Sequence, residues 1–412
     1  MSFFDAYDVT LLDHTTTSDE PHRIRFLQKW RESPHLCIPL HPQIQSRFVT
    51  PPMLALNEML KKTKCDIDAF HGFDPAKEQY YNQVTRLIDP FAFYRKQIKR
   101  NVHPPRTMTN AWLKCWEMIH VFRLVPTSGH VRLFCNAELP GAFLYALHHF
   151  IKSKTHTTYE WLANSLYPSD GTILGDEFGL VQRYPNHWLM SKEHDGSVTN
   201  PVMIQCIEDR CKRTIDLYTS DIGIGLEHDT FLKQEELEAP LHLGQILCGL
   251  RSLREGGHLV CKTFMFFHPF SISLMYLTSQ CFDECYVYKP QTSRAANSEV
   301  YLVGKGFRIR PDIISILMHT LTTWTNASID AYMVPVPEDA YLTIFLALHR
   351  IYQRQIAYIN TNIRTVSSLY ESGVPADFNH VRNTQVWQSE QERLHQWKRH
   401  FPIPSLPFSQ SL

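Results

Sequence analysis

Residues 131–143 read VRLFCNAELPGAF and carry the strongest structural signal in the chain. Apolar residues at 131–135 predict a strand, small residues then form a turn, and a helix is predicted over 141–153. Backbone N–H groups at a helix start bind polar ligands, and glycine lets a ligand come close to them. We therefore predict that Pro140, Gly141, Ala142 and Phe143 bind a cofactor, although an ordinary strand-to-helix turn has the same pattern. The turn lacks GxGxxG and GxxxxGK(S/T), so an NAD or ATP phosphate loop is not indicated.

The alternation of strand and helix continues through the middle of the chain. Strand candidates are 131–135, 159–163, 214–219, 257–261, 284–288 and 299–304, and helix candidates are 141–153, 232–254 and 269–282. Apolar strands that alternate with helices are typical of a mostly parallel sheet with helices on both faces. Right-handed crossovers would make this an α/β, doubly wound, Rossmann-like domain, which we predict over 106–308.

Helical regions are predicted on both sides of this domain. Residues 1–105 have helical and irregular patterns with many prolines, and His103-Pro104-Pro105 indicates a break before the next unit. Residues 309–412 again show helical spacing. The last segment, PIPSLPFSQSL, is predicted to be a loose tail.

Composition narrows the class of protein. Lys plus Arg and Asp plus Glu both number 41, so overall charge does not favour a nucleic-acid partner. No stretch approaches the ~18 consecutive apolar residues of a membrane helix, and the first residues do not resemble a signal peptide. The ten cysteines include no CxxC pair. We therefore expect a soluble intracellular protein with free thiols, no membrane contact and no metal.

One local cluster of basic residues is a candidate RNA-binding surface. Arg95, Lys96, Lys99 and Arg100 follow the aromatic residues Phe91, Phe93 and Tyr94. Basic side chains contact phosphates and aromatic rings stack on bases, so this combination suits single-stranded nucleic acid. A solvated helix face would have the same pattern, and the sequence alone leaves both interpretations open.

Polar residues follow several of the predicted strands. Asn164 ends the second strand, Asp221 lies just after the LYTS strand, and Lys262 directly follows GHLVC. Ligands bind at the carboxyl ends of strands in open α/β sheets, and an Asn at the second strand could contact ribose hydroxyls. A plain loop asparagine or a helix cap would explain Asn164 or Asp221 equally well.

Together with Lys114 and Glu299, these residues resemble the tetrad of FtsJ-type (RrmJ-type) ribose 2'-O-methyltransferases, which have Lys, Asp, Lys and Glu in this order. Lys114, Asp221, Lys262 and Glu299 match it. The segments TNAWLKCWEMI, CNAELPGAF, WLANSLYP and GGHLVCKTFMFF resemble the Adrift-type branch. That branch includes animal cap methyltransferases and proteins of large DNA viruses of the African swine fever virus group. The resemblance covers about 105–307.

The resemblance implies an S-adenosylmethionine-dependent enzyme acting on capped RNA. Lys262 would be the base, Lys114 a neighbouring cation, and Asp221 and Glu299 would hold the ammonium groups, with Asp221 also facing the cofactor. Lys289 and Arg294, just before Glu299, are expected to join the RNA-binding residues. Capping-machinery or virion proteins are expected as partners, with a cytoplasmic location for a viral protein and a nuclear or cytoplasmic one for a cellular protein.

Three departures from the family pattern concern the cofactor contacts. Asn164 stands where an acidic residue is common, Gly196-Ser197 replaces a Gly-Asp pair, and Ile222 follows Asp221 where Gly is usual. Two alternatives remain open: a ribosomal or transfer RNA 2'-O-methyltransferase, and an inactive RNA-binding subunit with a methyltransferase fold. A base N-methyltransferase is disfavoured because the chain lacks its (D/N)PP(F/Y/W) motif.

Overall fold

The computed structural model describes residues 22–24, 51–70, 74–167, 175–225 and 233–412. The strands of these ranges form one sheet in the order β1-β6-β7-β5-β4-β2-β3. Their bounds are β1 His22–Ile24, β2 Ser128–Asn136, β3 His156–Asn164, β4 Ile215–Ser220, β5 Leu253–Phe264, β6 Phe282–Tyr288 and β7 Glu299–Phe307. Each predicted strand lies inside an observed strand, except that the one predicted over 214–219 begins one residue before β4.

The strand directions explain how the site is assembled. β2 pairs in parallel with β3 and β4, and β4 with β5, whereas β7 is antiparallel to both β5 and β6. Five strands, β2 to β6, therefore share one direction, which confirms the mostly parallel α/β fold. Because β7 runs the other way, its first residue, Glu299, pairs with Phe264 near the end of β5. The start of β7 thus lies at the same sheet edge as the carboxyl ends of its neighbours.

Helices cover both faces of the sheet. In the described ranges they are α1 Pro51–Cys65, α2 Pro75–Ile88, α3 Pro90–Ile98, α4 Asn110–Phe122, α5 Ala142–Lys154, α6 Leu180–Arg183, α7 Pro201–Cys211, α8 Gln234–Ser252, α9 Pro269–Ser279, α10 Pro311–Thr322, α11 Glu338–Glu371, α12 Phe378–Val381 and α13 Gln385–His400. Thr109 caps α4 by accepting from the Trp112 N–H. None of these helices combines the length and apolar character needed to cross a membrane.

Alternate strand residues divide the core into two clusters, one on each face of the sheet. Tyr218 and Leu259 face a cluster built with α7 to α11, while Leu217 and Val260 face one built with α4 and α5. The flanking regions enter both clusters: α1 and α11 join the first, and α3 and α13 join the second. The flanks are therefore packed onto the sheet domain as part of its core.

The last segment of the chain is also packed, so the prediction of a loose tail is wrong. Ile403 and Leu406 are buried. His148 and His149 on α5 lie 2.6 Å and 3.0 Å from the carbonyl oxygens of Gln410 and Pro404. Three of the eleven residues are prolines, which have no N–H group, and α5 supplies partners for two of the carbonyl oxygens. The prediction of a loose tail rested on the terminal position of the segment, and its long-range partners are not visible in the sequence.

Candidate active site

Lys114 and Glu299 form a bidentate ion pair at the carboxyl edge of the sheet. The Lys114 Nζ lies 2.7 Å from one Glu299 carboxylate oxygen and 2.8 Å from the other. The two side chains are only 10% and 7% exposed. Ser293 donates a further hydrogen bond of 2.8 Å to Glu299 Oε1. Burial alone would raise the pKa of Glu299, but Lys114, Lys262 and Lys289 outweigh burial and lower this pKa to about 2. The carboxylate is therefore ionised throughout the physiological range.

Lys262 and Asp221 form the second pair. The Lys262 Nζ donates to the Asp221 carbonyl oxygen at 2.8 Å and lies 3.4 Å from Oδ1 of the same residue. Tyr301, which pairs with Lys262 across the sheet, donates its hydroxyl to Asp221 Oδ1 at 2.7 Å. A Cβ at Gly223 would come within 3.0 Å of the Lys262 Nζ. The lysine is thus fixed by the strand beside it and by the loop after β4.

The structure brings these four side chains together at one edge of the sheet, and because they are the four residues predicted to be catalytic we call them the catalytic cluster. Tyr301 lies close to both acids of the cluster. Burial raises the pKa of Tyr301 well above the usual value, and the charges of Asp221 and Glu299 raise it further. Two ammonium–carboxylate pairs therefore lie close together, in a region where little water screens their charges. Such a cluster can orient a hydroxyl nucleophile and exchange a proton with it.

The predicted basic contacts are placed in different surroundings. Arg294, Lys96, Lys99 and Arg100 are exposed, and Arg95 is half-buried. The Lys289 ammonium instead points into the protein, where it donates to the carbonyl oxygens of Asn297 and Glu299 at 2.7 Å and 2.8 Å. Burial, followed by the charges of Lys114 and Lys64, lowers the pKa of Lys289 to about 7, although Glu299 opposes this. The predicted RNA contact at Lys289 is thus not supported, because its donors are used inside the chain.

Residues 136–144 form the strand-to-helix turn predicted to hold a cofactor, and we call them the cofactor turn. Gly141, at the start of α5, has φ 122°, and a Cβ there would lie 2.2 Å from Leu180 Cδ1. Leu180 thus covers Gly141, and the left-handed backbone explains the glycine without any ligand. Pro140, Ala142 and Phe143 lie on the same turn, between β2 and α5.

Asn164 lies at the carboxyl end of β3 and links the cofactor turn to the next loop. Its side-chain N–H group donates to Asn136 Oδ1 and to the Gly196 carbonyl oxygen, both at 2.9 Å. Its own Oδ1 is buried and has no hydrogen-bond partner among the residues that the structure describes. That acceptor fits a ligand with hydroxyl or N–H donors, as the ribose and adenine of a nucleoside cofactor would provide.

Two buried carboxylates were missed by the sequence analysis. Glu138 in the cofactor turn accepts the Leu144 N–H at 2.8 Å, and burial raises its pKa to about 8, with Asp221 adding to the shift. Glu117 lies on α4 one turn after Lys114 and accepts several hydrogen bonds described below. The signals were present: an acid before a helix start is a common cap, and residues three apart share a helix face.

The chain matches a family model and several known proteins. The model of the FtsJ-like methyltransferases matches residues 107–307. The probable methyltransferase EP424R of African swine fever virus is 34% identical over 358 residues, covering 82% of each chain. The cap-specific mRNA (nucleoside-2'-O-)-methyltransferase 2 of Danio rerio is 32% identical over 221 residues, covering 51% of this chain and 30% of that protein. The protein of the same name from Pongo abelii is 28% identical over 331 residues, covering 73% and 42%. These matches, on a sheet with this cluster at its edge, show that the chain belongs to the FtsJ-like methyltransferase family.

Proposed function

We propose that this chain transfers a methyl group from S-adenosylmethionine to a ribose 2'-hydroxyl near the 5' end of capped RNA. The observation that carries the proposal is the catalytic cluster: two lysines held by two carboxylates beside a strand-to-helix turn. The names of the animal relatives, which specify caps and the 2'-oxygen, support the choice of substrate. The family match supports methyl transfer as the reaction class.

Each residue of the cluster has a distinct part in this proposal. Lys262 accepts the proton of the 2'-hydroxyl, because an unassisted hydroxyl is a weak nucleophile at neutral pH. Asp221 fixes the direction of the Lys262 amine through the contacts at 2.8 Å and 3.4 Å. Lys114 and Lys262 both lie close enough to Glu299 to lower the pKa of its carboxyl, so Lys114 is the cation next to the proposed base. Glu299 in turn holds Lys114 in place.

The cofactor would be held by the cofactor turn and the residues around it. Its sulfonium supplies a methyl group that is already activated, so no metal is needed for the transfer. Gly141 and Ala142 offer backbone N–H groups at the helix start, Pro140 and Phe143 flank them, and the buried Asn164 oxygen offers an acceptor. Asp221 contacts Lys262 at 3.4 Å and lies close enough to Glu138 of this turn to raise its pKa, so it can face the cofactor's amino acid end.

The RNA would approach along the exposed basic residues. Burial lowers the pKa of Arg95, and Arg294 lies close enough to lower it further. These two arginines therefore face the same region, although they are far apart in sequence. Arg294 is exposed in the loop that leads to Glu299, so a phosphate bound there would lie near the reacting ribose. Lys96, Lys99 and Arg100 extend this basic surface away from the site.

The decisive experiment uses matched RNAs that carry one deoxynucleotide at each of the first few positions, with and without a cap. We expect methylation of the capped series to disappear at one position, because that ribose lacks the attacking oxygen. Transfer to an all-deoxy strand would overturn the proposal in favour of base methylation. Equal transfer to uncapped RNA would favour a ribosomal or transfer RNA substrate. Binding of cofactor and RNA without any transfer would indicate an inactive subunit.

A further inference from the structure

The loop of residues 289–298, which presents Glu299 to Lys114, is closed on itself. Lys289 at its start donates to the Asn297 side chain and to the carbonyl oxygens of Asn297 and Glu299 at its end. Ser293 in its middle donates to Glu299 Oε1. We call this segment the Glu299 loop. Strand pairing fixes the backbone of Glu299, whereas the loop determines where its carboxylate points.

A single buried carboxylate anchors this loop to the helix that carries Lys114. Glu117 on α4 is fully buried and accepts from Gln291 N at 2.7 Å, Thr292 N at 3.1 Å and the Thr292 hydroxyl at 2.9 Å. It also accepts from the Tyr288 hydroxyl at 2.5 Å and from Trp397 Nε1 at 2.9 Å. Burial raises the pKa of Glu117, and the bonds from Tyr288, Trp397, Gln291 and Thr292 oppose this shift. Five donors to one carboxylate make a stiff connection.

The outer side of the Glu299 loop is held by the C-terminal helices. Gln355 on α11 donates to the Ala296 carbonyl oxygen at 2.8 Å and to Ser298 Oγ at 3.1 Å. Arg393 on α13 donates to the Gln291 carbonyl oxygen at 3.0 Å. Trp397, also on α13, reaches Glu117 itself. The three donors, Gln355, Arg393 and Trp397, lie beyond 307, where the family match ends.

We propose that Glu117 is a positioning residue that keeps the Glu299 carboxylate directed at Lys114. In the same proposal, α11 and α13 belong to the catalytic unit, because they support the outer side of the Glu299 loop. The proposal rests on the function proposed above. Lys114 and Glu117 lie on adjacent turns of one helix, so α4 holds both partners of the pair: Lys114 directly and Glu299 through the loop. Loss of the support leaves the sheet intact but lets the Glu299 carboxylate turn away from Lys114.

The test compares two tryptophan variants that each lose one indole hydrogen bond between α4 and the C-terminal region. In Trp397→Phe the lost acceptor is Glu117, whereas in Trp116→Phe it is the Phe401 carbonyl oxygen, at 3.2 Å. Both tryptophans are fully buried. A purely structural role predicts similar losses of thermal stability and similar kinetics for the two. We expect Trp397→Phe to lower kcat about 10-fold or more, with KM for RNA within about twofold, and Trp116→Phe to leave kcat within about twofold.

A second variant keeps the inference testable if Trp397→Phe folds poorly. Glu117→Gln preserves the shape but turns an N–H group toward donors, so the Glu299 loop should loosen while the affinity for S-adenosylhomocysteine, measured by calorimetry, stays unchanged. Equal kcat in wild type, Trp397→Phe and Glu117→Gln would overturn this inference while leaving the proposed function standing. Absence of methyl transfer by the wild-type chain on every RNA would instead overturn the proposed function.

Discussion

The cofactor turn and the catalytic cluster lie at the same edge of the sheet but are built in opposite ways. The cofactor turn is one continuous segment, 136–144, whose shape depends on a left-handed glycine and small residues. The catalytic cluster joins residues from four distant segments, and its tightest pair spans 185 residues. The first region is determined by backbone geometry and the second by charge. Changes of size should therefore damage the cofactor turn, and changes of charge should damage the catalytic cluster.

The packing of the flanks sharpens this contrast. The Glu299 loop depends on α11 and α13, whereas the cofactor turn is covered by Leu180 from within the family domain. A substitution in the C-terminal region should therefore affect the chemical step more than cofactor affinity. Measuring kcat and cofactor affinity on the same variants distinguishes damage to the catalytic cluster from damage to the cofactor turn.

The largest expected effect comes from removing a charged residue of the catalytic cluster. Lys262→Ala removes the proposed base, so methyl transfer should fall by about 10³-fold, within the usual range for general-base catalysis. Affinity for S-adenosylhomocysteine should stay within about threefold by calorimetry, because Lys262 lies on β5 outside the cofactor turn and Tyr301 still holds Asp221. Lys305→Ala, on neighbouring β7, serves as the control and should retain activity. Normal turnover in Lys262→Ala would exclude Lys262 as the base.

The same contrast explains how much of the site the sequence could predict. Asp221 and Lys262 were identifiable because each follows an apolar strand, and such ends meet in parallel sheets. Glu299 begins its strand, so only the reversal of β7 places it beside them, and a sequence pattern does not show strand direction. Lys114 on a helix was recognised from the family resemblance alone. The bond between Glu117 and Trp397 spans 280 residues, and no local pattern predicts it.

The misplacement of Lys289 has a similar physical cause. A lysine before an exposed arginine resembles a basic surface, but its partners, Asn297 and Glu299, lie eight and ten residues further along. Only the closure of the Glu299 loop brings them together. The backbone of the cofactor turn was easier to predict, because the residues that determine it are consecutive. The predicted helix start at 141 differs from the observed one at Ala142 by one position.

An increase in side-chain size near Asn164 should weaken cofactor binding. Gly196→Ala would place a Cβ 1.7 Å from the Ser165 carbonyl oxygen, at φ 74°, so the loop that bonds Asn164 must move. We expect affinity for S-adenosylhomocysteine to fall about 10-fold or more by calorimetry, with RNA affinity unchanged. Gly129→Ala is the matched control, because it has φ 100° with nothing within 4 Å of the added Cβ. Equal cofactor affinity in both variants would mean that the Asn164 loop does not contact the cofactor.

A pH experiment tests the buried acid of the cofactor turn. The pKa of Glu138 is about 8 in the folded protein against 4.5 for an ordinary glutamate, because burial disfavours its charge. The folded state therefore holds this proton more tightly, and its contribution to stability is complete below pH 4.5 and is lost as the pH rises toward 8. Glu138→Gln should remove that loss. The melting temperature of the variant relative to wild type should rise by several degrees between pH 5 and pH 8.5.

The exposed Glu160→Gln is the control and should show no such trend. Parallel curves for Glu138→Gln and wild type would show that Glu138 ionises normally.

The smallest expected effect concerns the exposed basic residues around the end of α3, which belong to neither the cofactor turn nor the catalytic cluster. Lys96, Lys99 and Arg100 are exposed around the end of α3, and changing all three to Glu should weaken RNA binding only severalfold at physiological salt. The slope of log affinity against log salt should become shallower by about 2, since each lost phosphate contact on a single strand contributes about 0.7. The kcat at saturating RNA should stay unchanged, because the Glu299 loop is held by other residues. Arg294→Glu provides the comparison: Arg294 is exposed in the Glu299 loop, so one reversal there should affect RNA affinity as much as the three reversals around the end of α3. If the triple variant keeps both its affinity and its salt slope, the α3 cluster is an ordinary solvated surface and the RNA path is restricted to Arg294 and its neighbours.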